Sequence, residues 1–253
     1  MGEYTRYVAL GDSQTEGIGD GDELSGYRGF ADRLAEQIAA SSPGLLYANL
    51  AVRGRLAGEV RAEQLAPALA LRPDVATVIA GLNDVMRPKF DAAQVASDLE
   101  AMFAGLTGIG ARVASVTFPD IARIAPVARS LRPRVLELNA RIREAAARHG
   151  VALFEAFPYS VTTDLRIWSA DRIHASPLGH ARIAAGLAHA LDLPGSDDSW
   201  RLPLPGPAPA TTVVTELRWL GGFLGPWLWR RVRGVSSGDG RVAKRPDLTP
   251  LTA

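Results

Sequence analysis

Val8-Ala9-Leu10-Gly11-Asp12-Ser13-Gln14-Thr15-Glu16-Gly17 is the stretch on which the reading of this chain turns. The apolar run at 7–10 is cut off by Gly-Asp-Ser and followed by a polar, Gly-bearing segment, the pattern of a buried strand that ends in a tight turn and displays one hydroxyl. Ser13 then stands at the carboxyl end of a strand, where open α/β sheets place their chemistry. Taken alone, the stretch reads equally well as a turn followed by an ordinary helix N-cap. Two downstream segments, Gly81-Leu82-Asn83-Asp84 and Asp171-Arg172-Ile173-His174, break the tie.

With 253 residues, 47% of them hydrophobic and 22% charged, the chain is long enough for one sizeable core plus an appendage. A net charge of +1, with no zinc-finger spacing, RNP-like aromatic motif or basic helix, gives no reason to expect nucleic acid as a partner. Cysteine is absent, which excludes disulfides, a thiol nucleophile and a thiolate metal site, so any nucleophile is oxygen or nitrogen. Residues 1–6 lead into the first strand without a basic start and a long apolar run; no signal peptide is expected and cytoplasmic residence is the default.

Strands and helices alternate along the chain. Strands are expected at 7–10, 45–51, 74–80, 112–118 and 151–154, the third nearly all apolar and β-branched, as in a parallel sheet covered on both faces. Between them lie apolar stripes at helical spacing: Phe30, Leu34 and Ile38; Leu56, Val60, Leu65 and Leu69; Val95, Leu99, Met102, Phe103 and Leu106; Val135, Leu138 and Ile142, ending at His149-Gly150; and Leu178, Ile183 and Leu187, entered through Ser176-Pro177. The expectation is a three-layer α/β/α domain over 1–194 with a flavodoxin-like, five-stranded parallel sheet. Gly17, Gly19 and Gly21 do not match a dinucleotide-binding loop, and His180 and His189 are read as helix-surface residues.

Beyond 194 the composition shifts. Pro203, Pro205, Pro207 and Pro209 mark residues 195–212 as a Pro-rich linker. Residues 213–234 form an amphipathic Trp- and Arg-rich segment, too short and interrupted to span a bilayer. Its part at 219–233 suits a membrane surface, but packing on the domain beside the rim of the site is the favoured expectation. Residues 235–253 are expected to be disordered. Gly234-Val235-Ser236-Ser237-Gly238 is a literal G-x-S-x-G, yet it follows no strand and precedes no helix, so it is set aside as a nucleophile elbow.

Strands of a parallel sheet point one way, so Ser13, Gly54, Asn83 and the Asp171–His174 pair share one rim. A serine hydroxyl needs a base to take its proton as it attacks, and His174 is the candidate. Asp171, three residues earlier, can hold the imidazole in the right tautomer. N–H donors at Ser13 and Gly54 and the Asn83 amide suit an oxyanion.

Gly11-Asp12-Ser13, Gly54, Gly81-Leu82-Asn83-Asp84 and Asp171-Arg172-Ile173-His174 resemble, in order, the blocks of the SGNH hydrolases, or GDSL-type esterases and lipases, over residues 7–192. The resemblance implies Ser13 as nucleophile, Asp171 and His174 as acid and base, and Ser13, Gly54 and Asn83 as oxyanion hole. Gln14 replaces the leucine of the family's name and Ala51 stands where a glycine is common; neither is expected to touch a reacting group.

The reading is a serine esterase acting on a small or medium acyl ester through an acyl-enzyme, without cofactor or metal. The alternatives are an acyltransferase, thioesterase or carbohydrate deacetylase with the same site, and, from another class, a non-catalytic or membrane-associated binding module. The rim loops 85–90, 118–131 and 157–168, carrying Met86, Phe90, Phe118, Ile121 and Ile124 beside Arg87, Lys89, Arg123 and Arg129, are expected to line the pocket.

Overall fold

Tyr7, Val8, Ala9 and Leu10 are all fully buried, and the strand they form has a parallel neighbour on each side. In this computed structural model, which describes residues 3–209, 212–225 and 237–251, the elements run β1 (Arg6–Gly11), α1 (Ser13–Glu16), β2 (Gly21–Asp22), β3 (Gly26–Tyr27), α2 (Phe30–Ser41), β4 (Leu46–Asn49), α3 (Ala57–Leu71), β5 (Val75–Ile79), α4 (Leu82–Val85), α5 (Ala92–Gly108), β6 (Arg112–Thr117), α6 (Ile121–Ile124), α7 (Arg132–His149), β7 (Ala152–Glu155), α8 (Pro177–Ala190), α9 (Val213–Trp219) and β8 (Arg245–Pro250).

The main sheet has the order β7-β6-β5-β1-β4-β8. Its first five strands are parallel and follow the flavodoxin-like order, with α2 and α8 packed together and α3, α5 and α7 forming a second helical group. Tyr7 and Tyr47, both fully buried, stack at 5.1 Å between ring centroids, and the Tyr7 hydroxyl lies 2.8 Å from Thr77 Oγ1. Because β1 sits between β4 and β5, the direction of winding reverses there and a crevice opens outside the carboxyl ends of these strands. The segments that leave β1, β4 and β5 carry Ser13, Gly54 and Asn83 to that crevice.

Two expectations for the C-terminal part need correction. Residues 245–250 are not disordered but form a sixth strand, antiparallel to β4, with Leu46 opposite Pro250 and Asn49 opposite Arg245. Pro246 and Pro250 lack an N–H, which an edge strand tolerates where that side of the backbone faces water. Leu248 and Leu251 pack on the core, Arg245 Nε donates to Tyr47 O at 2.9 Å, and the guanidinium covers the Tyr47 ring at 5.1 Å. The domain also does not stop at 194. Trp200 is buried, edge-on to Phe154 at 4.6 Å and to Tyr159 at 4.9 Å, and Arg182 Nη1 donates to Ser199 O and Trp200 O, each at 2.7 Å. Among the described residues no helix is long and apolar enough to cross a membrane; the stretch 226–234 of the Trp- and Arg-rich segment lies outside those residues.

Removing residues 237–253 strips β8 from β4 and uncovers a strand edge. The melting temperature should fall by roughly 5–10 °C, as expected for about 2–3 kcal/mol in a domain of this size, and aggregation on heating should increase. Differential scanning calorimetry with light scattering checks both; an unchanged melting temperature would show that β8 adds nothing to the sheet.

Candidate active site

β1 has to end abruptly for Ser13 to face the crevice. The N–H of Gly11 donates to Gln64 Oε1 and Gln64 Nε2 donates to Gly11 O, both at 2.9 Å, so a buried amide from α3 satisfies the strand's last backbone groups. A Cβ on Gly11 would lie 2.2 Å from Thr15 Oγ1 and 2.5 Å from Ile79 O, which only glycine avoids. Asp12 then caps α1 by accepting from the Gln14 N–H at 3.2 Å, leaving Ser13 as the first residue of the short helix.

His174 arrives from the segment between β7 and α8. Its Nε2 lies 3.0 Å from Ser13 Oγ and its Nδ1 2.7 Å from Asp171 Oδ2. The other oxygen, Asp171 Oδ1, accepts from the Ser169 hydroxyl at 2.6 Å and from the N–H groups of Ile173 at 2.9 Å and His174 at 3.0 Å, so one carboxylate builds the turn that presents the imidazole. Burial pushes the Asp171 carboxyl up, but the bonds from His174 and Ser169 outweigh it and hold the group well below the usual carboxylate range. An ionised Asp171 can only accept, which places the imidazole proton on Nδ1 and leaves Nε2 as the acceptor for the Ser13 hydroxyl.

Gln14 bears on this arrangement more than its sequence position suggests. Its Nε2 donates to Ile173 O at 2.8 Å and its Oε1 accepts from the Ala175 N–H at 3.2 Å, clamping the backbone on both sides of His174 to α1. Gly19 serves the same fit: at φ 102°, a Cβ there would stand 2.1 Å from Ala175 O. The role of this loop is close packing against the histidine segment.

Gly54 is fixed through its neighbour. Glu16, at the end of α1, accepts from the Arg53 N–H at 2.7 Å and from Arg53 Nε at 3.0 Å in a buried ion pair. Gly54 itself has φ 79°, a conformation costly for any side chain. The N–H groups of Ser13 and Gly54 donate to no other described residue. Asn83, in the first turn of α4, is differently placed, since its Nδ2 donates to Asp12 Oδ2 at 3.0 Å and to Arg55 O at 3.1 Å. The structure thus brings together Ser13, His174 and Asp171 by direct contact, and Asn83 by way of Asp12.

Burial pushes the carboxyls of Asp12 and Asp84 up to about 6. His180 is a correction: it is fully buried, not on the helix surface, with its Nδ1 accepting from the Phe30 N–H at 3.1 Å and its Nε2 donating to Ile18 O at 3.0 Å. Small residues on the core face of α8 draw that helix inward, and burial lowers the His180 imidazole to about 4, keeping it neutral. Of the expected lining residues, Met86, Ile121 and Ile124 border one groove and Phe118 lines an adjoining cavity with Gln14, Leu82 and Trp168, whereas Phe90 lies under the Arg134 guanidinium at 5.6 Å. Among the described residues no group of three or more His, Asp or Glu is placed to hold a metal ion.

A model for the GDSL-like Lipase/Acylhydrolase family matches residues 9–182. The chain belongs to this family. Membership makes it an ester-hydrolysing enzyme. Solved structures of the same fold include an alpha/beta hydrolase enzyme from the metagenome of Lake Arreo, Spain (21% identity, 75% of this chain and 95% of that one, TM-score 0.61), and the lipase/acylhydrolase from Enterococcus faecalis (21% identity, 77% and 99%, TM-score 0.59). An acetyl xylan esterase from Geobacillus stearothermophilus shares the fold at 16% identity over 76% of this chain and 97% of that one, with a TM-score of 0.61. No curated protein sequence matches the chain.

Gln14→Ala frees the backbone around His174 while removing no reacting group. It should lower kcat by roughly 10- to 100-fold with little change in KM, the pattern of lost positioning; equal kcat values for variant and wild type would show that the clamp is idle. Asp84 offers a test by pH. Its pKa is raised from 3.8 to about 6 in the fold, so its contribution to stability is fully present below 3.8 and is lost as pH rises through about 6. Asp84→Asn keeps an acceptor for the Ala57 N–H that now lies 3.0 Å from Asp84 Oδ2. Relative to wild type it should gain about 2 kcal/mol between pH 4 and pH 7, measured by urea unfolding at both values; parallel pH profiles would refute the assignment.

Proposed function

We propose that the protein is a serine esterase that hydrolyses a small or medium acyl ester through an acyl-enzyme on Ser13. The observation that carries this reading is the continuous line from Asp171 Oδ2 through both imidazole nitrogens of His174 to Ser13 Oγ, with contacts of 2.7 and 3.0 Å. In the first half-reaction Ser13 Oγ bonds to the ester carbonyl carbon while its proton passes to His174 Nε2. The carbonyl oxygen becomes an oxyanion held by the N–H groups of Ser13 and Gly54. Asn83 joins as a third donor by giving up its bond to Arg55 O for the oxyanion. Collapse breaks the bond to the alkoxy oxygen, which leaves as the alcohol with the proton from His174. Water then attacks the acyl-enzyme, giving one proton to His174 Nε2, and Ser13 departs with that proton as the acid is released. Throughout, the ionised Asp171 stabilises the imidazolium without taking its proton.

Ser13→Ala and His174→Ala should each lower kcat/KM for p-nitrophenyl esters by roughly 10⁴- to 10⁶-fold, and Asp171→Ala by some 10- to 100-fold less, because an imidazole without its orienting carboxylate still accepts a proton. A fluorophosphonate should label wild type and fail on Ser13→Ala. If Ser13→Ala retains most of its turnover and labelling in contaminant-free preparations, the assignment is wrong.

A further inference from the structure

The family match ends at residue 182, and α9 lies beyond it, yet this helix reaches the site. Trp219, its last residue, is only 6% exposed, and its indole N–H donates to Asp171 O at 3.0 Å. The Arg172 guanidinium lies 4.9 Å from the Trp219 ring centroid and is paired with Glu216, Nη1 to Oε2 at 3.0 Å and Nη2 to Oε1 at 2.8 Å. Arg172 has φ 57°, a strained conformation for a residue with a side chain. α9 therefore braces, from outside, the turn that joins Asp171 to His174.

The same tryptophan forms one wall of a groove of about 240 Å³ whose other walls come from Leu82, Met86, Ile121, Ile124 and Trp168. Leu82 directly precedes Asn83, and Ile173, which also borders the groove, directly precedes His174, so the groove is lined by the segments that carry Asn83 and His174. Arg172 is the charged residue on its margin, and Glu216 neutralises it.

We propose that this groove holds the acyl chain of the ester and that α9, through Trp219, sets the chain length the enzyme accepts. The inference rests on the esterase reading above. The lining is apolar almost throughout, which suits a hydrocarbon and not a sugar, and the space is smaller than the roughly 300–1,000 Å³ of a pocket for a drug-sized ligand, which suits a medium chain. The surface that selects the substrate thus includes a residue the family match does not reach.

The test is a chain-length series of p-nitrophenyl esters from acetyl to dodecanoyl. For wild type, kcat/KM should rise about four-fold for each methylene buried in the groove and level off at a medium chain. Trp219→Ala should lower the octanoyl-to-acetyl ratio of kcat/KM at least about ten-fold, whereas Trp219→Phe, which keeps an aromatic wall but loses the indole N–H, should largely preserve it. A profile for Trp219→Ala parallel to that of wild type overturns the groove assignment. Calorimetric titration of Ser13→Ala with octanoate reads the groove without turnover: binding lost in Ser13→Ala/Trp219→Ala supports the proposal, and binding equal in the two overturns it. If octanoate binds in this Trp219-dependent way but no ester is hydrolysed, the groove stands and the esterase reading alone falls.

Discussion

The bidentate pairing of Gln64 with the backbone of Gly11 is the constraint on which the site depends. A strand in the middle of a sheet cannot simply stop, because its last N–H and C=O would be buried without partners, at about 1–3 kcal/mol each. Gln64 supplies both partners from α3, and the chain is then free to turn and start α1 at Ser13. Asn139 does the same from α7 at the end of β6, where its Oδ1 accepts from the Phe118 N–H and its Nδ2 donates to Phe118 O, both at 2.8 Å. Buried amides, as well as glycines, shape the rim.

Two carboxylates near the imidazole are driven in opposite directions by their surroundings. Asp12, enclosed and accepting from the Gln14 N–H and the Asn83 amide, is pushed up; Asp171, accepting from Ser169, Ile173 and His174, is pushed down. In mildly acid solution the negative charge beside His174 therefore sits on Asp171, while Asp12 is partly neutral. Separation of this kind is how one site assigns different tasks to chemically identical groups.

The parallel strands and the four polar blocks were legible because each depends on local pattern: an apolar run and the turn that ends it. What escaped was set by tertiary contact. Gln64 lies one turn from Val60 and from Ala68 on the buried face of α3, where Leu65 and Leu69 are only partly covered; a polar residue in register with an apolar stripe was the available signal. His180 likewise shares a face with Ala184 and Leu187. In sequence Gln14 reads as a neutral departure from a motif, since the atoms it holds are backbone atoms of residues 173 and 175. β8 left no pattern at all, because an edge strand needs neither alternation nor freedom from proline.

That last strand also decides how the sheet meets other chains. Without residues 245–250 β4 would be unpaired on its outer side, and the sheet of β1, β4, β5, β6 and β7 would end in an open edge. An open edge is where one chain can pair with another. With Arg245 on Tyr47 that edge is closed, and the partner of β4 is the sheet's own chain and not a second copy.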